Sequence, residues 1–347
     1  MKKLVWILLL VLTSCNHKEF CYNHPHTVPV RVNVDWSRFE PYESPTGMTL
    51  TFFPEVGMDV LTKQTHTISH AVVNLPADSY HVLVYNQSPS EFGSFKFQDT
   101  NDPLLASVVA INHSSRWYTT RGDEERVATE PEWLGVGNFA DAEVTEAMVE
   151  THDQLMQIAS AQTRAAEPVI ATVTPRNVIY TVSVKVHVQG IHNLRSARAS
   201  LTGMAEGYYL AQDKRMDTEV THLIEEWSAT RDEADPTKGY ITASFTCFGL
   251  PGNHAGQPEE NILTIDLLLV DNTTIKTFVF HAGDKFMKSN NSSVETEVDL
   301  ELYVVLTHDL NGDLIVLPDV QPEGGSGSGF SASVDDWGEE IEHDIKM

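Results

Sequence analysis

Cysteine is scarce, with three residues in 347: Cys15, Cys21 and Cys247. Two thiols as far apart as Cys21 and Cys247 make no disulfide framework, and their spacing leaves open whether they pair. Basic residues are also few, 23 Lys and Arg against 49 Asp and Glu. The formal charge of −26 repels phosphate, and no basic stripe offsets it, so a nucleic-acid partner is excluded. Long apolar runs are missing too: after Cys15 nothing approaches about 18 consecutive apolar residues. Signatures of catalysis are absent as well, with no G-x-S-x-G, H-E-x-x-H or P-loop. Without a nucleophile and base, a metal cluster or a cofactor loop, neither enzymatic activity nor a cofactor is expected.

Several near-matches fall short. Gly135-Val136-Gly137-Asn138-Phe139-Ala140 fits the dinucleotide pattern G-x-G-x-x-A. That turn needs a buried parallel strand before it, and Thr129-Glu130-Pro131-Glu132 cannot be one. Asp309, Asn311 and Asp313 take alternate ligand positions of a calcium loop, but Leu314 stands where Gly is needed and Val320 where Glu is. A hairpin tip is the better reading. Cys21, His24 and His26 are spaced as metal ligands could be, yet no fourth ligand is evident, and no metal site is expected. The row Glu295, Glu297, Asp299, Glu301 reads as a solvated strand face, second neighbours lying about 7 Å apart. Arg121-Gly122-Asp123 is too short a match to carry meaning.

What the chain does contain starts at Lys2 and Lys3, which precede nine apolar residues from Leu4 to Leu12. As a helix these rise about 14 Å against about 30 Å of hydrocarbon, the size of a signal's apolar region and not of a permanent span. Leu12-Thr13-Ser14-Cys15 resembles the bacterial lipobox. Residues 1–14 are therefore expected to be a signal peptide, with lipid attached at Cys15 and residues 15–27 as the tether. Several acyl chains at about 0.8 kcal/mol per buried methylene, palmitate among them, make such an attachment stable. Lys18-Glu19 partly resembles the surface-export signal of Bacteroidota lipoproteins, and that resemblance implies a place on the outer membrane, at the cell surface.

The body reads as strands. Val28, Val30, Val32, Val34 and Trp36 alternate with Pro29, Arg31, Asn33 and Asp35, and Met48–Phe53, Tyr80–Tyr85, Phe95–Phe97 and Ser107–Ile111 are further candidates. Val178–Val188 alternates with a β-branched content that disfavours helix. Leu263–Leu269 turns through Asp271-Asn272-Thr273 toward Ile275–Val279, and Val294–Leu306 precedes a tight turn at Leu310-Asn311-Gly312-Asp313. Helices are expected only near Asp141–Gln162 and Thr218–Trp227. The charged stretch 213–238 reads as a connection between an N-terminal domain, 28–212, and a C-terminal one, 239–347. Gln321–Gly329 is a flexible link to a last strand candidate, Phe330–Trp337. Trp117, Tyr118 and Trp133 gather in a region without strand pattern and could contact a glycan.

Short motifs carry a family likeness. Cys21-Tyr22-Asn23-His24-Pro25-His26, Val32-Asn33-Val34-Asp35-Trp36, Leu75-Pro76-Ala77-Asp78-Ser79-Tyr80, Ala199–Ala205 and Val334-Asp335-Asp336-Trp337 resemble Bacteroidota lipoproteins of the fimbrillin superfamily. That resemblance implies an all-β fold of two tandem transthyretin-like β-sandwich domains, and a fimbrial anchor, tip or accessory subunit assembling by strand exchange. Its partners would be fimbrial subunits. The first domain, built around Val28–Trp36 and Val178–Val188, is the expected contact for the next subunit. A glycan-binding surface lipoprotein is the alternative.

Overall fold

The computed structural model describes residues 26–39, 45–56, 59–158, 167–253, 256–288 and 301–322. The signal segment, Cys15, Cys21, His24, the acidic residues Glu295, Glu297 and Asp299, and the strand candidate Phe330–Trp337 lie outside them. Strands dominate the described residues, so the fold is all-β. The first run is β1 (Val28–Val34), β2 (Met48–Pro54), β3 (Leu61–Thr65), β4 (His70–Leu75) and β5 (Asp78–Asn86). Next come β6 (Phe95–Gln98), β7 (Ser107–Ala110), β8 (Val127–Ala128), β9 (Gly135–Val144) and helix α1 (Glu146–Ile158). Then follow β10 (Val169–Val173), β11 (Arg176–Asn177), β12 (Tyr180–Gln189), β13 (Leu194–Ala205), β14 (Gly207–Tyr209) and β15 (Lys214–Arg215). The last are β16 (Glu219–Ile224), β17 (Ser228–Arg231), β18 (Lys238–Cys247), β19 (Ile262–Leu269), β20 (Ile275–His281), β21 (Met287–Lys288) and β22 (Glu301–Leu306).

These strands form five sheets. A three-stranded sheet, β10-β1-β4, shares a core with the five-stranded β11-β9-β5-β2-β3. Val30 and Val32 of β1 meet Leu50, Phe52, Val82 and Val84 there, all fully buried. The larger core lies between β17-β18-β12-β22-β21 and β20-β19-β13-β16-β8. Val182, Val184, Val186 and Val188 face it from one sheet, and Leu263, Ile265, Leu267 and Leu269 from the other. Branched side chains at every second position suit this pleated, half-buried setting. The four-stranded β15-β14-β7-β6 completes the set. Leu83 and Tyr85 of β5 join the larger core while Tyr80, Val82 and Val84 join the smaller, so both faces of β5 are covered. Such a strand loses its alternation, and β2 is buried from Met48 to Phe53 without interruption.

The expected charged connection, 213–238, is instead woven into the sheets as β15, β16 and β17, and runs up to the start of β18. Its charges sit in turns, on the edge strands β15 and β17 and at the exposed start of β16, so they mark sheet edges and turns and not a border. Within it, Thr218–Trp227 is no helix: Val220 to Ile224 are buried in β16, where Val220, Thr221 and Ile224 favour the extended backbone. Tyr180–Gln189, assigned above to the N-terminal domain, pairs along its whole length with Lys238–Cys247. The strands around which the first domain is expected to be built, β1 and β12, lie in different cores. The helix near Asp141 is real but begins at Glu146, because Asp141, at φ 64°, still belongs to β9.

Three motif readings find their explanation in this fold. Gly135 and Gly137 lie in β9, where a Cβ on Gly137 would stand 2.6 Å from Val173 Cγ1. Close packing, and not a phosphate, calls for glycine there. At the hairpin tip, Asp309 Oδ1 accepts from Asn311 N at 2.8 Å and from Asp313 N at 3.0 Å, while Gly312 takes φ 82°. The turn joining β19 to β20 is held the same way: Asp271 Oδ1 accepts from Thr274 N at 3.0 Å. Those hydrogen bonds, led by the Thr274 hydroxyl, pull the Asp271 carboxyl down to about 2.

Candidate functional site: a cleft beside Trp117

The long loop from β7 to β8 lies against the outer face of the sheet β20-β19-β13-β16-β8, and Trp117 and Tyr118 ride on it. Polar contacts pin the loop. The indole N–H of Trp117 donates to Glu225 Oε1, and Ser115 Oγ donates to the same oxygen at 2.8 Å. Arg121 donates to Thr264 Oγ1 at 3.1 Å. Glu125 Oε1 accepts from Tyr118 OH at 2.6 Å and from Thr221 Oγ1 at 2.7 Å. The loop thus covers one part of the sheet face and stops at Trp117.

Beyond Trp117 the face stays open as a cleft. It is lined by Trp117, Arg198, Glu225, Asp266, Leu268 and Ile275. Strand register builds it: Arg198 of β13 stands opposite Asp266 of β19, which stands opposite Thr277 of β20. Arg198 donates to Asp266 Oδ2 through Nε at 3.3 Å and Nη2 at 3.2 Å. Thr277 Oγ1 donates to Asp266 Oδ1 at 2.7 Å, so both oxygens of this carboxylate are engaged. The Arg198 guanidinium lies over the Trp117 ring, 4.6 Å from its centroid, and Tyr118 meets the same ring edge-on at 5.6 Å. Cation–π contact of this kind fixes both groups. One wall of the cleft is therefore indole and guanidinium, and Leu268 with the half-exposed Ile275 forms an apolar floor.

The electrostatics are settled locally. Hydrogen bonds from Trp117 and then Ser115 hold the Glu225 carboxyl below the usual range, so it is charged at neutral pH. Burial pushes the Glu125 carboxyl up, but hydrogen bonds from Tyr118, Arg121 N and Thr221 outweigh it and the net shift is downward. The Tyr118 hydroxyl is raised, first by burial and then by its bond to Glu125.

Of the three aromatics singled out in the sequence, the structure brings Trp117 and Tyr118 together and leaves Trp133 elsewhere. Trp133 is half-buried and packs against both cores, its carbonyl accepting from Asn86 Nδ2 at 3.2 Å. It belongs to no platform with Trp117. Arg198, Glu225 and Asp266 were not legible as site residues, because they meet only across strands. One signal was present: Asp266 is a charge in an otherwise uncharged run from Ile262 to Leu269. His26, one of the spaced metal candidates, bonds Asp153 Oδ2 at 2.8 Å. Among the described residues no group of His, Cys, Asp and Glu could hold a metal ion, and no helix is long and apolar enough to cross a membrane.

The family described as a domain of unknown function, DUF5119, matches residues 14–225. No curated protein matches the sequence. Among solved structures, a candidate adhesin from Bacteroides ovatus is similar over 89% of this chain and 98% of its own, at 14% identity and a TM-score of 0.56. At that identity the likeness is one of fold. The fimbrial anchor protein Mfa2 from Porphyromonas gingivalis aligns over 80% of this chain and 90% of its own, at 11% identity and a TM-score of 0.43, too low to carry an argument. The resemblance to fimbrillin-related proteins of the Bacteroidota is borne out, and since the matched stretch takes in more than half of the sequence, the chain belongs to the DUF5119 family.

Proposed function

We propose that the chain is a cell-surface lipoprotein, held to the outer membrane through a lipid on Cys15. It acts as an anchor, tip or accessory subunit of a fimbria and joins its neighbours by β-strand exchange. Within it we read two tandem transthyretin-like sandwiches, one on each core. The observation that carries the assembly reading is strand β10, an edge of the three-stranded sheet. An edge strand offers unpaired backbone donors and acceptors to an incoming strand, and proteins normally blunt such edges with charge. Edge strands β3, β17 and β20 carry Lys63, Arg231 and Lys276 respectively. β10 reads Val-Ile-Ala-Thr-Val, without charge, and Val169 is 53% exposed.

The test is assembly with the edge blunted. Val169→Lys with Thr172→Lys adds charge at two exposed positions, and folding stability should change by less than about 1 kcal/mol. In fimbriated cells the double variant should drop out of detergent-extracted fimbrial complexes that retain the unmodified chain. Retention of the double variant at wild-type levels would sink the strand-exchange reading.

A further inference from the structure

We infer that the cleft beside Trp117 binds a neutral, hydroxyl-rich ligand, a single uncharged sugar unit being the class that fits. This goes beyond the assembly reading and does not depend on it. Glu225 uses Oε1 for Trp117 and Ser115, which leaves Oε2 without a partner among the described residues. Arg198 commits Nε and Nη2 to Asp266 and keeps Nη1. The cleft therefore offers one charged acceptor and one charged donor, side by side and already oriented by their neighbours. Vicinal hydroxyls match that pair: one donates to Glu225, the next accepts from Arg198. The C–H face of a sugar ring then lies on Leu268 and Ile275, the mixture of apolar floor and few fixed polar groups that small-ligand sites share.

Charge selects against the alternatives. Two carboxylates, Glu225 and Asp266, surround one guanidinium, so an acidic sugar or a phosphate meets net repulsion. A cationic group would have to displace or crowd Arg198, which forms the cleft wall and is held there by Asp266 and by the Trp117 ring. A neutral polyol meets neither penalty.

The experiment is a binding titration of the full mature chain by saturation-transfer NMR and tryptophan fluorescence. The probes are methyl glycosides of glucose, galactose, mannose and N-acetylglucosamine, with N-acetylneuraminic acid and glucosamine as the acidic and cationic counterparts. At least one neutral glycoside should bind saturably and in preference to both charged sugars. Ile275→Lys, at an exposed position on the cleft floor, should weaken that binding by at least about tenfold, as should Glu225→Gln. Trp133→Phe should leave it unchanged. Circular dichroism and melting curves establish that each variant is folded, and two independent cleft variants guard against one that is not. No saturable binding of any neutral glycoside, preference for a charged sugar, or full binding by folded Ile275→Lys and Glu225→Gln each overturns the inference.

Discussion

His222 stands in β16 at 1% exposure, its ring 5.4 Å from that of Phe245, and neither ring nitrogen has a hydrogen-bond partner among the described residues. Burial, with a smaller contribution from His113, lowers its pKa from 6.5 to about 4. Between those two values the unfolded chain binds a proton that the folded chain does not, so stability falls as the pH drops through this window. The full loss, reached below the folded pKa, is about 3 kcal/mol, and roughly 2 of it is gone by about pH 5. His222→Leu should remove this component. Denaturant midpoints at neutral and mildly acid pH check it: a variant that loses as much stability on acidification as the parent would clear His222 of the effect. No sequence pattern marks this group, because a histidine on a strand looks the same whether it is buried or solvated. Arg198 and Glu225 were hidden for a related reason, since each gains its meaning from a side chain dozens of positions away.

At the level of elements, legibility followed from how many faces a strand buries. β12 buries one face, its burial alternates along the strand, and the sequence alternation reads straight through to the structure. There Val184→Asp puts an unpaired carboxylate into the larger core and should cost several kcal/mol, enough to unfold a marginally stable protein. Lys185→Asp on the opposite face should cost only about 0.5–1 kcal/mol, because Lys185 Nζ lies 3.8 Å from the centroid of the Tyr240 ring and that contact is lost. Equal damage from the two substitutions, measured by chemical denaturation, would mean that the faces are reversed. β2 and β5 bury both faces, so their mainly apolar runs, broken by Thr49, Thr51 and His81, identify strands without saying what lies on either side. β16 reads as a helix in the sequence because its buried run, Val220 to Ile224, is too short to separate a helical from an extended period. In 213–238, the charge density that reads as a linker belongs to turns and edge strands.

For the whole molecule, the proposed attachment at Cys15 makes a direct prediction. Cys15→Ala should abolish incorporation of labelled palmitate and move the protein out of the detergent phase, since the apolar stretch Leu4–Leu12 is too short to hold a membrane by itself. Unchanged partitioning would remove the lipid anchor from the proposal. With that anchor, tension would reach the described fold first at β1. This strand is the centre of its sheet, antiparallel to β4 along Val28–Asn33 and parallel to β10 along Arg31–Val34. A pull along the strand loads both ladders in shear, so many bonds must yield together, whereas a peeled edge gives way one bond at a time. Rupture under force is governed by the unfolding barrier and not by equilibrium stability. With the proposed anchor, β1 would act as a mechanical clamp on the membrane side, and the grip of a tethered cell in flow would be set by its rupture rate.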